Sequence, residues 1–156
     1  MANTYTQLYV QIVFAVLGRV SLIRSAWEDE LYQYITGIVQ NRKHKMLAIN
    51  GMPDHIHIFL GLNPNDSISE LVRETKKASN SFINERRLCL HPFQWQSGYG
   101  AFSYKRSDIN TVVNYVLNQK EHHKKKSFKE EYIEFLTEFK IEYKEEYLFE
   151  WYEDSR

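Results

Sequence analysis

Lys45-Met46-Leu47-Ala48-Ile49-Asn50, then Gly51-Met52-Pro53-Asp54, then His55-Ile56-His57-Ile58-Phe59-Leu60: this stretch decides the fold. Two apolar runs flank a Gly-x-Pro-Asp reversal, in which Gly and Pro each supply the backbone restriction that a tight turn requires. The reading is strand, turn, strand, with the two strands paired as a hairpin. Upstream, residues 5–16 are β-branched and aromatic with partial alternation, which predicts another strand, broken at Gly18. Ser25-Ala26-Trp27-Glu28 has the spacing of a capping box, and Leu31, Ile35, Ile38 and Val39 follow at helical spacing, so a helix is expected over 26–42. Downstream, Asn63–Asp66 reads as a loop and Ser67–Glu70 as a second capping box. A helix to about Arg86 follows, with Ile68, Leu71, Val72, Ala78, Phe82 and Ile83 on its inner face. Short strands are expected at Phe93–Trp95 and Tyr99–Tyr104. A helix capped by Ser107-Asp108 is expected over 109–122, and a third capping box stands at Ser127–Glu130. The order β-α-β-β-α-β, followed by more helix, is that of an α+β, ferredoxin-like split βαβ sandwich with an antiparallel sheet and an added C-terminal helical segment. We divide the chain into 1–126, reaching through the helix that carries Tyr115, and 127–156. The aromatic end of the second part (Tyr143, Tyr147, Leu148, Phe149, Trp151) is expected to pack on the body or on a second subunit.

Composition narrows the function classes. One cysteine, Cys89, excludes an intramolecular disulfide framework and any cysteine-based zinc cluster. No apolar run approaches the roughly 18 residues that a membrane span needs, and no secretory leader pattern is evident. The expectation is a soluble, cytoplasmic chain. Twenty basic and 20 acidic side chains cancel, but residues 1–129 hold 17 Lys/Arg against 10 Asp/Glu while 130–156 hold 3 against 10. A basic body with an acidic tail is compatible with a polyanionic partner for the body, or with a solvated surface unevenly charged.

Four groups could carry chemistry. His55 and His57 alternate on one strand, so both imidazoles share a face while Ile56 and Ile58 point to the other. That makes two-thirds of a metal site, or an ordinary pair on an exposed face. Tyr115 and Gln119 lie four apart on a helix and project a phenol and a carboxamide together, or belong to an ordinary amphipathic helix. Lys120 to Lys126 forms a basic run that could hold a nucleic-acid backbone, or be a solvated connector; its adjacent His122 and His123 diverge by about 100° on a helix and do not converge on one ion. Arg73, Lys76, Lys77, Arg86 and Arg87, with Phe93, Trp95, Tyr99, Phe102 and Tyr104 near in sequence, could offer a base-stacking surface, though those aromatics suit a core equally.

Read together, Met52-Pro53-Asp54-His55-Ile56-His57, Ser67-Ile68-Ser69 opening a helix, and Tyr115-x-x-Asn118-Gln119 with Glu121-His122-His123 resemble the single-tyrosine HUH transposases of the insertion sequence 200/605 family. The resemblance runs from about Val10 to Phe149. It implies that His55, His57 and Gln119 hold a divalent metal, Mg²⁺ or Mn²⁺, and that Tyr115 is the nucleophile. It further implies a homodimer that cuts and rejoins single-stranded DNA at hairpin-bearing element ends. Arg73, Lys76, Lys77, Lys120, Lys124, Lys125 and Lys126 are the expected DNA contacts. The chain departs from the family at Ala15–Val20, where members often carry a basic, polar segment and only Arg19 is charged here. No phosphate-cradling Gly-rich loop is present, in keeping with a reaction that uses no nucleotide. The residue pattern assigns no general base. The alternatives are a relaxase- or replication-initiator-like nicking enzyme with the same site, and a non-catalytic single-stranded nucleic-acid-binding regulator.

Overall fold

A computed structural model describes residues 3–152. Four strands, β1 (Tyr9–Ala15), β2 (Lys45–Met52), β3 (His55–Gly61) and β4 (Gly100–Tyr104), form one antiparallel sheet in the order β2-β3-β1-β4. Helix α1 (Ser25–Asn41) connects β1 to β2, and α2 (Ile68–Glu85) connects β3 to β4. This is the expected split βαβ arrangement. Helices α3 (Ile109–Leu117), α4 (Gln119–His122) and α5 (Phe128–Glu138) follow. Among the described residues no helix is long and apolar enough to cross a membrane.

Period-2 alternation assigns each face of the sheet its own layer. On one face Ile12, Phe14, Ile58 and Leu60 pack with Val39 of α1 and with Leu71, Val72 and Thr75 of α2. On the other, Ala48 and Phe59 cluster with Val112 and Val116 of α3. Strand β3 is therefore buried on both sides. Gly51 permits the hairpin that leads into it: a Cβ there would lie 2.3 Å from the His55 carbonyl oxygen and 2.9 Å from the Ile56 Cα.

Local departures from expectation have physical causes. Ser25 does not cap α1. Arg24 takes the N-cap position with no side-chain bond, and the Glu28 carboxylate receives Lys120 Nζ at 3.1 Å instead of turning back to the N-terminus. Ser67 does cap α2, accepting from Glu70 N, and Ser127–Glu130 is a complete capping box. Phe93–Trp95 is no strand. Trp95 makes a single bridge to Val16, because its ring is wedged edge-on against both Phe14 and Phe93 and its indole N–H donates to Ser79 Oγ. Asp108 makes no side-chain cap. A short 3-10 turn, Arg106–Asp108, leads directly into α3. The helix expected over 109–122 is interrupted at Asn118, giving α3 and α4.

The loop after β3 is tied to the end of α1 by a charged clamp. Arg42 Nε and Nη2 donate to the two Asp66 oxygens at 2.8 and 2.7 Å, and His44 Nε2 meets Asp66 Oδ2 at 2.8 Å. The backbone N–H of Asn63 donates to His44 Nδ1, so His44 Nε2 carries the proton given to Asp66. The Arg42 bonds, helped by His44, hold the Asp66 carboxyl well below the usual carboxylate range. A group depressed in the folded state stabilises above its unfolded pKa and loses that contribution as pH falls. Asp66→Ala should therefore cost about 2 kcal/mol at neutral pH. The gap from wild type should hold down to about pH 4 and then close on further acidification, as read by urea melts across pH.

Candidate metal and tyrosine site

His55 and His57 leave β3 on the face covered by α3, α4 and α5, and both are fully buried rather than solvent-facing. Each is oriented through its Nδ1. His55 Nδ1 lies 2.7 Å from Asp54 Oδ1. His57 Nδ1 lies 2.6 Å from Gln11 Oε1, and the Gln11 amide donates to the Tyr104 hydroxyl at 2.9 Å, which leaves Oε1 as the acceptor facing His57. Both imidazoles therefore present Nε2 to one point, supported from behind in the manner of metal-ligating histidines. Phe128, the first residue of α5, stacks flat on His55 with centroids 3.7 Å apart.

Three further side chains reach that point. Gln119, fully buried at the start of α4, places Oε1 3.4 Å from His55 Nε2. Glu131, on α5 and 2% exposed, places Oε1 3.1 Å from His57 Nε2 and 3.4 Å from His55 Nε2. His123 Nε2 lies 3.1 Å from Gln119 Oε1 and 3.2 Å from Glu131 Oε1, positioned to donate to both. The second Glu131 oxygen accepts from the Tyr115 hydroxyl, and Gln119 Nε2 donates to it at 3.2 Å. The structure thus places His55, His57, Tyr115 and Gln119 around one point, together with Glu131 and His123.

The electrostatics are those of a site that wants a cation. Burial works against charge on Glu131, but the surrounding imidazoles outweigh it and hold the carboxyl far below its ordinary range. Burial pushes His57 down, so it is neutral. Burial also works against charge on His55, yet Asp54 on one side and Glu131 on the other raise it to about 9. An unprotonated His57 Nε2 therefore faces a carboxylate oxygen at 3.1 Å, a repulsive pairing unless a positive ion lies between. Donors bound to one ion at about 2.0–2.2 Å stand about 3.0–3.5 Å from one another, the spacing of Glu131 Oε1 from each imidazole Nε2, and the three ligand atoms together lie within 4.8 Å of one another. His55, His57 and Glu131 could hold a metal ion. Burial and the Glu131 carboxylate push the Tyr115 phenol well above its ordinary pKa, so it rests protonated.

The expected DNA-contact residues do not share one surface. Arg73, Lys76 and Lys77 lie on α2, across the sheet from this site. Lys76 Nζ is committed to the carbonyls of Gln96 and Gly98 and sits over the Phe14 ring. Lys120 Nζ is committed to the Gly51 carbonyl and Glu28. Lys124 pairs with Glu121 and Lys126 with Glu134, while Lys125 is exposed beside them. Phe93, Trp95 and Phe102 are buried and belong to the core, not to a stacking platform.

Residues 4–119 match the family model described as Transposase IS200 like, and the chain belongs to that family. A search of curated proteins found no match. Among solved structures it resembles the 1.90 Å crystal structure of a "putative transposase" from Deinococcus radiodurans R1 (20% identity, TM-score 0.61, covering 76% of this chain and 95% of that one). It also resembles the REP-associated tyrosine transposase bound to a REP hairpin (19% identity, TM-score 0.59, covering 79% and 73%). At such identities these two likenesses establish a shared fold.

The groups behind the histidines should matter to metal affinity without touching the ion. Asp54→Asn is expected to weaken Mn²⁺ binding by about 10–100-fold with the fold intact, by calorimetric titration and circular dichroism. Because His55 holds its extra proton up to about pH 9, Mn²⁺ uptake by the wild type at pH 7 should release about one proton per ion. Titration enthalpies in buffers of different ionisation enthalpy would report it.

Proposed function

We propose that this chain is a DNA strand transferase that cleaves and rejoins single-stranded DNA at hairpin-bearing ends, with Tyr115 as nucleophile and a divalent metal held by His55, His57 and Gln119. The observation that carries the reading is the Tyr115 hydroxyl held by the same buried carboxylate that meets His55 and His57, in a chain of the IS200-like transposase family. A bound divalent ion would polarise the scissile phosphodiester and offset charge developing in the transition state.

The chain's own groups do the rest. Tyr115 Oη forms a bond to phosphorus, the P–O3′ bond breaks, and the phenolic proton is balanced by protonation of the departing 3′ oxygen. The products are a 5′-phosphotyrosine and a free 3′-hydroxyl. The link keeps the phosphodiester energy, so a second 3′-hydroxyl can reverse the step without ATP. Glu131 accepts from the phenol and so fixes where its oxygen points before attack. Gln119 braces the same carboxylate through its amide. In this reading the catalytic unit is 1–126 together with α5 from the 127–156 segment. Lys124, Lys125 and Lys126, directly beyond the site, are the residues that would meet the DNA backbone. A hairpin-bound transposase of like fold supports the substrate class.

Tyr115→Phe should abolish the covalent adduct with a hairpin-bearing single-stranded oligonucleotide in Mn²⁺, read on a denaturing gel, while leaving the fold in place. An undiminished adduct would take the nucleophile's role away from Tyr115.

A further inference from the structure

We propose that Glu131 is itself a ligand, completing a two-imidazole, one-carboxylate centre that takes a transition-series divalent ion such as Mn²⁺, Co²⁺ or Zn²⁺ in preference to Mg²⁺. This rests on the reading above and deepens it, because Glu131 lies beyond the segment that the family model covers.

Three observations support it. First, Glu131 is a carboxylate at 2% exposure whose basic-side-chain neighbours within ion-pair distance, among the described residues, are the imidazoles of His55, His57 and His123, with no lysine or arginine. A buried carboxylate is expensive unless it is paired or coordinates a metal. Second, its Oε1 stands 3.4 Å from His55 Nε2 and 3.1 Å from His57 Nε2, the separations of neighbouring ligands on a single ion. Third, the donor set is chemically selective. Mg²⁺ favours oxygen donors and retained waters, whereas imidazole nitrogens favour later divalent metals. Of the two metals the family resemblance implies, the site therefore favours Mn²⁺.

The ligand role also joins the metal to two other parts of the chain. Glu131 Oε2 holds Tyr115, so an ion on Oε1 would fix the nucleophile's orientation through one carboxylate. Glu131 sits in the first turns of α5, so loading would also clamp that helix to the sheet.

The test is titration of the full chain, and of Glu131→Gln and His57→Ala, with Mn²⁺, Zn²⁺ and Mg²⁺ by calorimetry, with Co²⁺ absorption as a second readout. Wild type should bind Mn²⁺ and Zn²⁺ at least about 100-fold more tightly than Mg²⁺. Glu131→Gln should lose about 100-fold or more in Mn²⁺ affinity and alter the Co²⁺ spectrum. If Glu131→Gln binds like wild type while His57→Ala does not, Glu131 is no ligand and the histidine metal site stands. If neither variant weakens binding, both readings fall. Should Glu131→Gln fail to fold, amide exchange on the wild type decides: Mn²⁺ should slow exchange across 128–138 where Mg²⁺ does not, and equal exchange with and without Mn²⁺ overturns the proposal.

Discussion

A strand buried on both faces has no solvent to receive its polar side chains, and β3 is such a strand. Alternation sends Ile58 and Leu60 into the layer of α1 and α2, which leaves His55 and His57 on the opposite face under α3, α4 and α5. Once fully buried, each imidazole needs partners for both nitrogens, since an unsatisfied buried polar group costs on the order of 1–3 kcal/mol. Asp54 and Gln11 meet the two Nδ1 atoms. The two Nε2 atoms then point inward, and everything else in the site answers to them.

What brings the answering groups down is packing. Gly100 lets α5 approach the sheet: a Cβ there would lie 2.6 Å from the Tyr132 hydroxyl. Phe102 stacks on Phe135 at 4.9 Å, Phe128 stacks on His55, and Phe149 of the tail packs on Phe128 and Tyr132. The tail is held in turn by Gln96, whose side chain bonds the backbone of Glu150 in both directions. These aromatic contacts set the height of α5 over the sheet, and that height sets where the Glu131 carboxylate ends. A polar cluster with this many convergent groups tolerates little misplacement, because in a low-dielectric interior an unpaired member is as costly as a paired one is favourable.

Much of this was legible in the residue pattern, and the remainder was hidden for identifiable reasons. The hairpin, the element order and the pairing of His55 with His57 follow from period-2 and period-3.6 spacing. Tyr115 and Gln119 meet the histidines as their i, i+4 spacing suggests, and the same spacing extended once more reaches His123. As the neighbour of His122, from which it diverges on a helix, His123 shows no convergence on an ion; the face it shares is that of Gln119. Glu131 carried no such signal. It is 74 positions from His57 and stands at the head of an acidic stretch, where a carboxylate reads as solvated. The basic residues expected to meet DNA divide between α2 and the segment around α4. Lysines that look free in a charge count are committed locally, Lys120 to Glu28 and the Gly51 carbonyl, Lys76 to two carbonyls.

The interruption at Asn118 gives the site its last constraint. An unbroken helix from 109 would keep Tyr115 and Gln119 on one stripe, but it would carry the chain straight on past the sheet. The break lets Lys120 anchor on the Gly51 carbonyl at the hairpin, so α4 is fastened to the same turn that delivers Asp54 and His55. Nucleophile, carboxamide and histidine pair are therefore referenced to one short piece of backbone, the Gly51–His57 segment. The capping box at Ser127 then restarts the chain as α5 and returns Glu131 to the same place. A site assembled this way has two references, the hairpin at its base and the aromatic contacts that hold α5 over it.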